Sequence, residues 1–98
     1  MKIEKCIMRD NPPYWRNTRY PGLERHECFE GRTHNRQKSI EDGLVVFLTP
    51  EQHRTGKDAI HKNYEVWLEL KKEAEQTWIE YYGKTKEEFR ERYGRNYL

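Results

Sequence analysis

The sequence predicts an α+β fold: a small ββα unit, extended by one long and one short helix and preceded by an irregular arm. Three observations carry that expectation. Gly43–Leu48, "GLVVFL", is a β-branched and aromatic run bounded by turn residues, as a buried strand should be. Thr49-Pro50-Glu51-Gln52 follows at once and reads as a helix start, with Thr to cap, Pro in the first position and Gln to close a capping box. Finally, Ile60, Tyr64, Trp67, Leu68, Leu70, Ala74, Trp78 and Tyr81 fall mostly at helical spacing.

In chain order, "KIEKCIM" (Lys2–Met8) alternates enough for a short strand. Asp10–Gly22 carries three prolines and three aromatics, which block helix and central strand alike and leave an extended connector pinned by its rings. "HECF" (His26–Phe29) is a candidate strand, and Asn35 and Arg36 fall in the loop that leads to the Gly43–Leu48 strand. The helix opened by Thr49 must be short, because Gly56 follows within two turns. Asp58 can cap a second helix from Ala59 to about Tyr82, stopped by Gly83. Thr85-Lys86-Glu87-Glu88 forms another capping box and opens a last helix through Tyr93, ended by Gly94. The domain division expected is an arm over 1–22 and a folded unit over 23–98.

The 98 residues allow one modest core. Charged residues make up 37%, so the surface is heavily charged, and the 13% of aromatics must supply much of the buried area. Net charge is +2, but the distribution is uneven: seven basic residues face four acids from Arg9 to Lys38, against ten of each from Pro50 onward. A weakly basic N-terminal half can sit against phosphate, and a solvated mixed-charge face has the same composition. Cys6 and Cys28 are too far apart for a zinc knuckle and too few for a disulfide framework. No apolar run approaches a membrane span, and the N-terminal segment lacks a signal-peptide core. The expected location is therefore the cytosol, without membrane contact and with reduced thiols.

Four histidines, His26, His34, His53 and His61, raise the question of a metal site. Metal-assisted phosphodiester hydrolysis needs ligands that leave an open position, a base beside the attacking water and cations for the phosphates. His26 and Glu27 lie on the first strand of the unit, His53 just inside the helix after the second, and His61 at the start of the next. Spacing alone leaves a metal site and ordinary surface histidines both open.

The ordered series "RHECFEG", "NRQKSIEDGLVVFLTPEQH", "AIH" with Asn63, and "EEFRERYGRNYL" resembles the HNH, or ββα-metal, nucleases, and within them small phage-encoded members. The likeness covers the chain from about Leu23 onward. It implies a metal-dependent DNA endonuclease or nickase of phage origin. His26, His53 and His61 would hold one divalent ion (Mg, Mn, Ni or Zn), and Asn35 would steady the inter-strand loop or help orient the base. Arg32, Arg36 and Lys38 would face DNA phosphates, contacts that position a duplex without reading it. Many relatives carry His-His where this chain has His26-Glu27. Either Glu27 is the base, or His26 is the base and Glu27 assists the cation. A carboxylate is the weaker base near neutral pH. The Cys pair that often holds structural zinc in such domains is missing, with Thr49 in one of its places.

The alternative is a catalytically weak or inactive HNH-like binding protein, such as a phage inhibitor of a host defence complex, with the arm as its docking surface and a host or phage protein as partner. The aromatic stripe of the long helix also offers a face for a homodimer. Trp67, Trp78 and Tyr81 are expected in the core, as is Cys28. Tyr14, Trp15 and Tyr20 beside Arg16 and Arg19 can stack unpaired bases or pin the arm. "GRNYL" is expected to be a terminal packing segment.

Overall fold

A short β-branched and aromatic run, Val45–Leu48, makes one strand, the polar segment Glu24–Glu27 pairs beside it, and helices make most of the rest of the described residues. The computed structural model describes residues 5–12, 14–30, 34–57 and 59–98. Its elements are β1 (Glu24–Glu27), α1 (Asn35–Asp42), β2 (Val45–Leu48), a single π-helical turn (Glu51–Thr55), α2 (Tyr64–Tyr82) and α3 (Lys86–Tyr93). The strands pair antiparallel, with Glu24 opposite Leu48 and His26 opposite Val46. The result is a compact α+β fold with a two-stranded sheet.

All four residues of β2 are buried. Val46 and Leu48 face the core, and alternation turns Val45 and Phe47 the other way. That second face is covered too, since the Arg19 guanidinium lies 5.2 Å from the centre of the Phe47 ring. The arm flanks the edge of β2 that β1 leaves open. Arg16 and Phe47 exchange both backbone hydrogen bonds at 2.9 Å, and the Ile7 N–H donates to Gly43 O. Met8 and Trp15 enter the core, while Tyr14 and Tyr20 stay exposed. The contest over the arm is thus decided for Trp15, which pins it.

Several expectations are corrected. Of "KIEKCIM", residues 2–4 lie outside the described residues, and 5–8 form no strand, held instead by the Ile7 N–H bond to Gly43 O and the Cys6 thiol bond to Val45 O. The first strand of the unit begins two residues earlier than "HECF" and stops at Glu27, because Cys28 and Phe29 turn into the core. Asn35 and Arg36 open a helix rather than occupying a loop. That helix has no amphipathic stripe to betray it; polar bonds hold it instead. The Ser39 hydroxyl, fully buried, donates to Asn35 O and accepts from the Phe29 N–H. Gly43, at φ 80°, takes the left-handed position that ends the helix, where a side chain would be strained.

The capping box at Thr49 forms as expected: Gln52 N–H donates to Thr49 Oγ1, and Thr49 N–H to Gln52 Oε1. The turn it opens is π-helical, with Gly56 N–H donating to Glu51 O. α2 begins at Tyr64, not Ala59. Asn63 caps it by accepting from Glu65 and Val66 N–H, and Ala59–Lys62 form a separate turn. Asp58 lies outside the described residues. The buried stripe of α2 runs through Leu70, Lys71, Ala74, Glu75 and Trp78. Two of those five are charged, so an apolar count misplaces the stripe, and Tyr81 is exposed rather than in the core.

Those buried charges are matched. Lys71 Nζ donates to Glu30 at 2.8 Å and lies about 5 Å from the rings of Tyr64, Trp67 and Tyr97. Glu75 accepts from Asn96 Nδ2, Tyr97 N–H and Leu98 N–H, so the terminal segment docks on α2. α3 closes its capping box at Thr85 and Glu88 and lays Phe89 and Tyr93 against Phe29 and Trp78. Asp42, at the end of α1, binds all three helices together. It accepts from Trp78 Nε1, from two Arg92 nitrogens and from the Tyr93 hydroxyl at 2.6–2.9 Å. Among the described residues no helix is long and apolar enough to cross a membrane.

Candidate metal centre

Local structure brings three histidines to one point. On β1, alternation puts Glu24 and His26 on the same face, two residues apart. The π turn after β2 carries His53, and wider π turns recur at functional positions in proteins. His61 lies in the turn before α2, not on the helix, and its backbone N–H donates to His53 O at 3.2 Å. That bond ties the two residues together through the main chain.

One ring nitrogen from each of His26, His53 and His61 lies within 4.8 Å of the others. His53 Nε2 is 3.2 Å from His26 Nδ1 and 2.9 Å from His61 Nε2. Imidazole nitrogens sharing a tetrahedral cation sit about 3.3 Å apart, given metal–nitrogen bonds of ~2.0–2.1 Å. Two of the three spacings therefore suit a shared ion, and the set as a whole, within 4.8 Å, needs the His26 and His61 rings to close slightly around it. On its other side, His53 Nδ1 is 2.8 Å from Glu24 Oε1, so Nδ1 carries the proton and Nε2 offers a lone pair. A carboxylate behind a histidine is the arrangement that orients metal-bound imidazoles.

Polar accounting points the same way. Two ring nitrogens face the single lone pair of His53 Nε2, which can accept one hydrogen bond, whereas a cation would satisfy all three nitrogens. His26 is buried with Nδ1 toward the other rings, and among the described residues its Nε2 has no hydrogen-bond partner, an orphan that an ion at Nδ1 would not relieve. Burial pushes the His26 imidazole down to about 3, helped by His61, His53, Arg54 and Lys71. Burial, with His53 and Arg54, also lowers His61, offset in part by Glu30 and Glu27. Both rings are thus neutral at pH 7 and ready to donate to a metal. A set of imidazole ligands suits Zn²⁺ or Ni²⁺ better than Mg²⁺, which prefers oxygen.

The histidines line a cleft of about 230 Å³ with Arg25, Glu27, Glu30, Arg36, Arg54 and Trp67. Trp67 is its wall as much as part of the core. The ring packs edge-on against His26 and His61, with centroids 4.8 and 5.1 Å away, and its Nε1–H donates to Cys28 O. Glu27 borders the cleft, and Arg36 donates to it through Nε and Nη2 at 3.2 and 3.0 Å. Arg25 Nε lies 3.7 Å from the second oxygen of Glu27.

The remaining expected residues lie elsewhere. Asn35 is buried and donates to Tyr93 O, and Lys38 donates to Arg92 O; both satisfy carbonyls at the end of α3. Neither lines the histidine cleft. Arg32 lies outside the described residues. Cys28 is fully buried, and burial raises its thiol well above the usual range, so it is no nucleophile. Sequence reasoning passed over Glu24, Arg25 and Arg54. For Glu24 a signal existed, since a carboxylate two residues before a strand histidine shares its face. Comparisons of this chain with protein-family models, with curated proteins and with solved structures find no match.

Proposed function

We propose that this protein is a metal-dependent phosphodiesterase of the HNH type that cuts or nicks DNA. One observation carries the reading: three histidine ring nitrogens converge in a cleft rimmed by Arg25, Arg36 and Arg54. A divalent cation held by His26, His53 and His61 would supply Lewis acidity toward a phosphoryl oxygen and acidify water. Glu24 holds His53 in the tautomer that donates. Trp67 fixes the planes of His26 and His61 and keeps water from that side. Glu27, beside His26 in the cleft, is the candidate to take a proton from the attacking water, and the arginines draw the polyanion in.

Nicking of supercoiled plasmid with Zn²⁺, Ni²⁺, Mn²⁺ or Mg²⁺, beside an EDTA control, tests the proposal. Metal-dependent cutting that His53→Ala abolishes together with metal affinity is the expected result. A His53→Ala protein that still cuts would sink it. A second reading, an inactive binding protein on the same scaffold, draws on the engagement of Glu27 by both Arg25 and Arg36, which ties up the candidate base. No cutting by folded wild type with any metal, together with retention of a partner protein, would select it.

A further inference from the structure

The three arginines of the histidine cleft are not equivalent. Arg25 and Arg36 both engage Glu27, so one carboxylate compensates part of their charge. Arg54 is exposed, follows His53 directly in the π turn and has no ion-pair or hydrogen-bond partner among the described residues.

We infer that Arg54 is the anion-binding side chain of this cleft, placed to take two oxygens of a phosphoryl group beside the three histidines. An uncompensated guanidinium beside a would-be cation site is repulsive on its own account. An anion held between them removes that repulsion and satisfies both. The planar fork of arginine suits two oxygens of one phosphate, which a lysine could not match. Because Arg54 adjoins His53 on the same turn, its backbone is fixed beside the histidines while its exposed side chain is free to close on an anion. The choice of a phosphodiester as substrate rests on the nuclease reading. The anion site itself does not.

The test uses the full chain loaded with Zn²⁺ and titrated with inorganic phosphate, followed by calorimetry, for wild type, Arg54→Ala, Arg54→Lys and Arg36→Ala. Plasmid cleavage and Zn²⁺ affinity are measured in parallel. Saturable phosphate binding is expected in wild type, weakened about tenfold to a hundredfold in Arg54→Ala. Arg54→Lys should recover part of it, Arg36→Ala should lose less, and Zn²⁺ affinity should change less than about twofold. Wild type that binds no phosphate overturns the inference, and so does Arg54→Ala that binds it as wild type does. Loss of Zn²⁺ affinity in Arg54→Ala also overturns it, by making the role structural. Arg54-dependent phosphate binding in a protein that cuts no DNA would retain the anion site and discard the nuclease. Cutting with unchanged kcat/KM in Arg54→Ala would do the reverse.

Discussion

The contact between Glu24 and His53 gives the sharpest check on the metal centre, because Glu24 touches no metal itself. Glu24→Ala removes the acceptor 2.8 Å from His53 Nδ1 and frees the ring to rotate and change tautomer. Glu24→Gln keeps an acceptor but removes its charge. Carboxylates behind metal-bound histidines contribute about 10- to 100-fold in metal affinity, or roughly 1.4–2.7 kcal/mol. The Glu24 side chain is 44% exposed, so water screens it and the lower end applies. We expect Glu24→Ala to bind Zn²⁺ about tenfold more weakly than wild type, with Glu24→Gln between the two. Competition against a chromophoric chelator at pH 7.5 measures this, and circular dichroism checks that the variants are folded. Folded Glu24→Ala within twofold of wild type would refute the argument, since the carboxylate would then orient nothing that binds metal.

Two further outcomes are expected. Asp42→Ala strands Trp78 Nε1 and Tyr93 Oη at a half-buried junction of three helices, while the Arg92 guanidinium keeps Glu41 at 3.7 Å. It should cost about 2–3 kcal/mol, on the order of 15 °C in Tm; a loss under about 1 kcal/mol in urea titrations would contradict the junction's role. For acid stability the sign follows from His26. Its folded imidazole stays neutral down to about 3, whereas the unfolded ring takes up a proton near 6.5. Stability is therefore whole above pH 6.5 and drains as pH falls toward 3, with about 2 kcal/mol gone between pH 7.5 and 5 from this residue alone. Metal-free wild type should show that slope in denaturant titrations across pH, and His26→Leu should flatten it; parallel curves would show that His26 is not buried neutral.

Local chemistry made part of this protein legible in its sequence. The β-branched run of β2, the capping boxes at Thr49 and Thr85 and the glycines ending α2 and α3 depend on neighbours within four residues. Each was readable for that reason. The histidines were readable as a set, and His26, His53 and His61 do converge. Their convergence was not derivable from spacing, because it depends on a π turn and on a backbone bond from His61 to His53 that no periodicity announces.

Elsewhere the tertiary structure decided. α1 has one large aliphatic residue, Ile40, and no stripe; it exists because Ser39, Asn35 and Lys38 find partners on Phe29 and on the end of α3. The same contacts hold Asn35 and Lys38 away from the cleft. The buried face of α2 includes Lys71 and Glu75, which burial would penalise without Glu30 and the terminal segment to receive them. Glu24 and Arg54 acquire meaning only from what faces them: a ring nitrogen of the π turn in one case, and no opposing carboxylate among the described residues in the other. The sequence by itself determined which residues could cap, turn or bind a cation. Which of them do so was decided by long-range polar pairing, because such bonds act between groups that the chain order leaves dozens of residues apart.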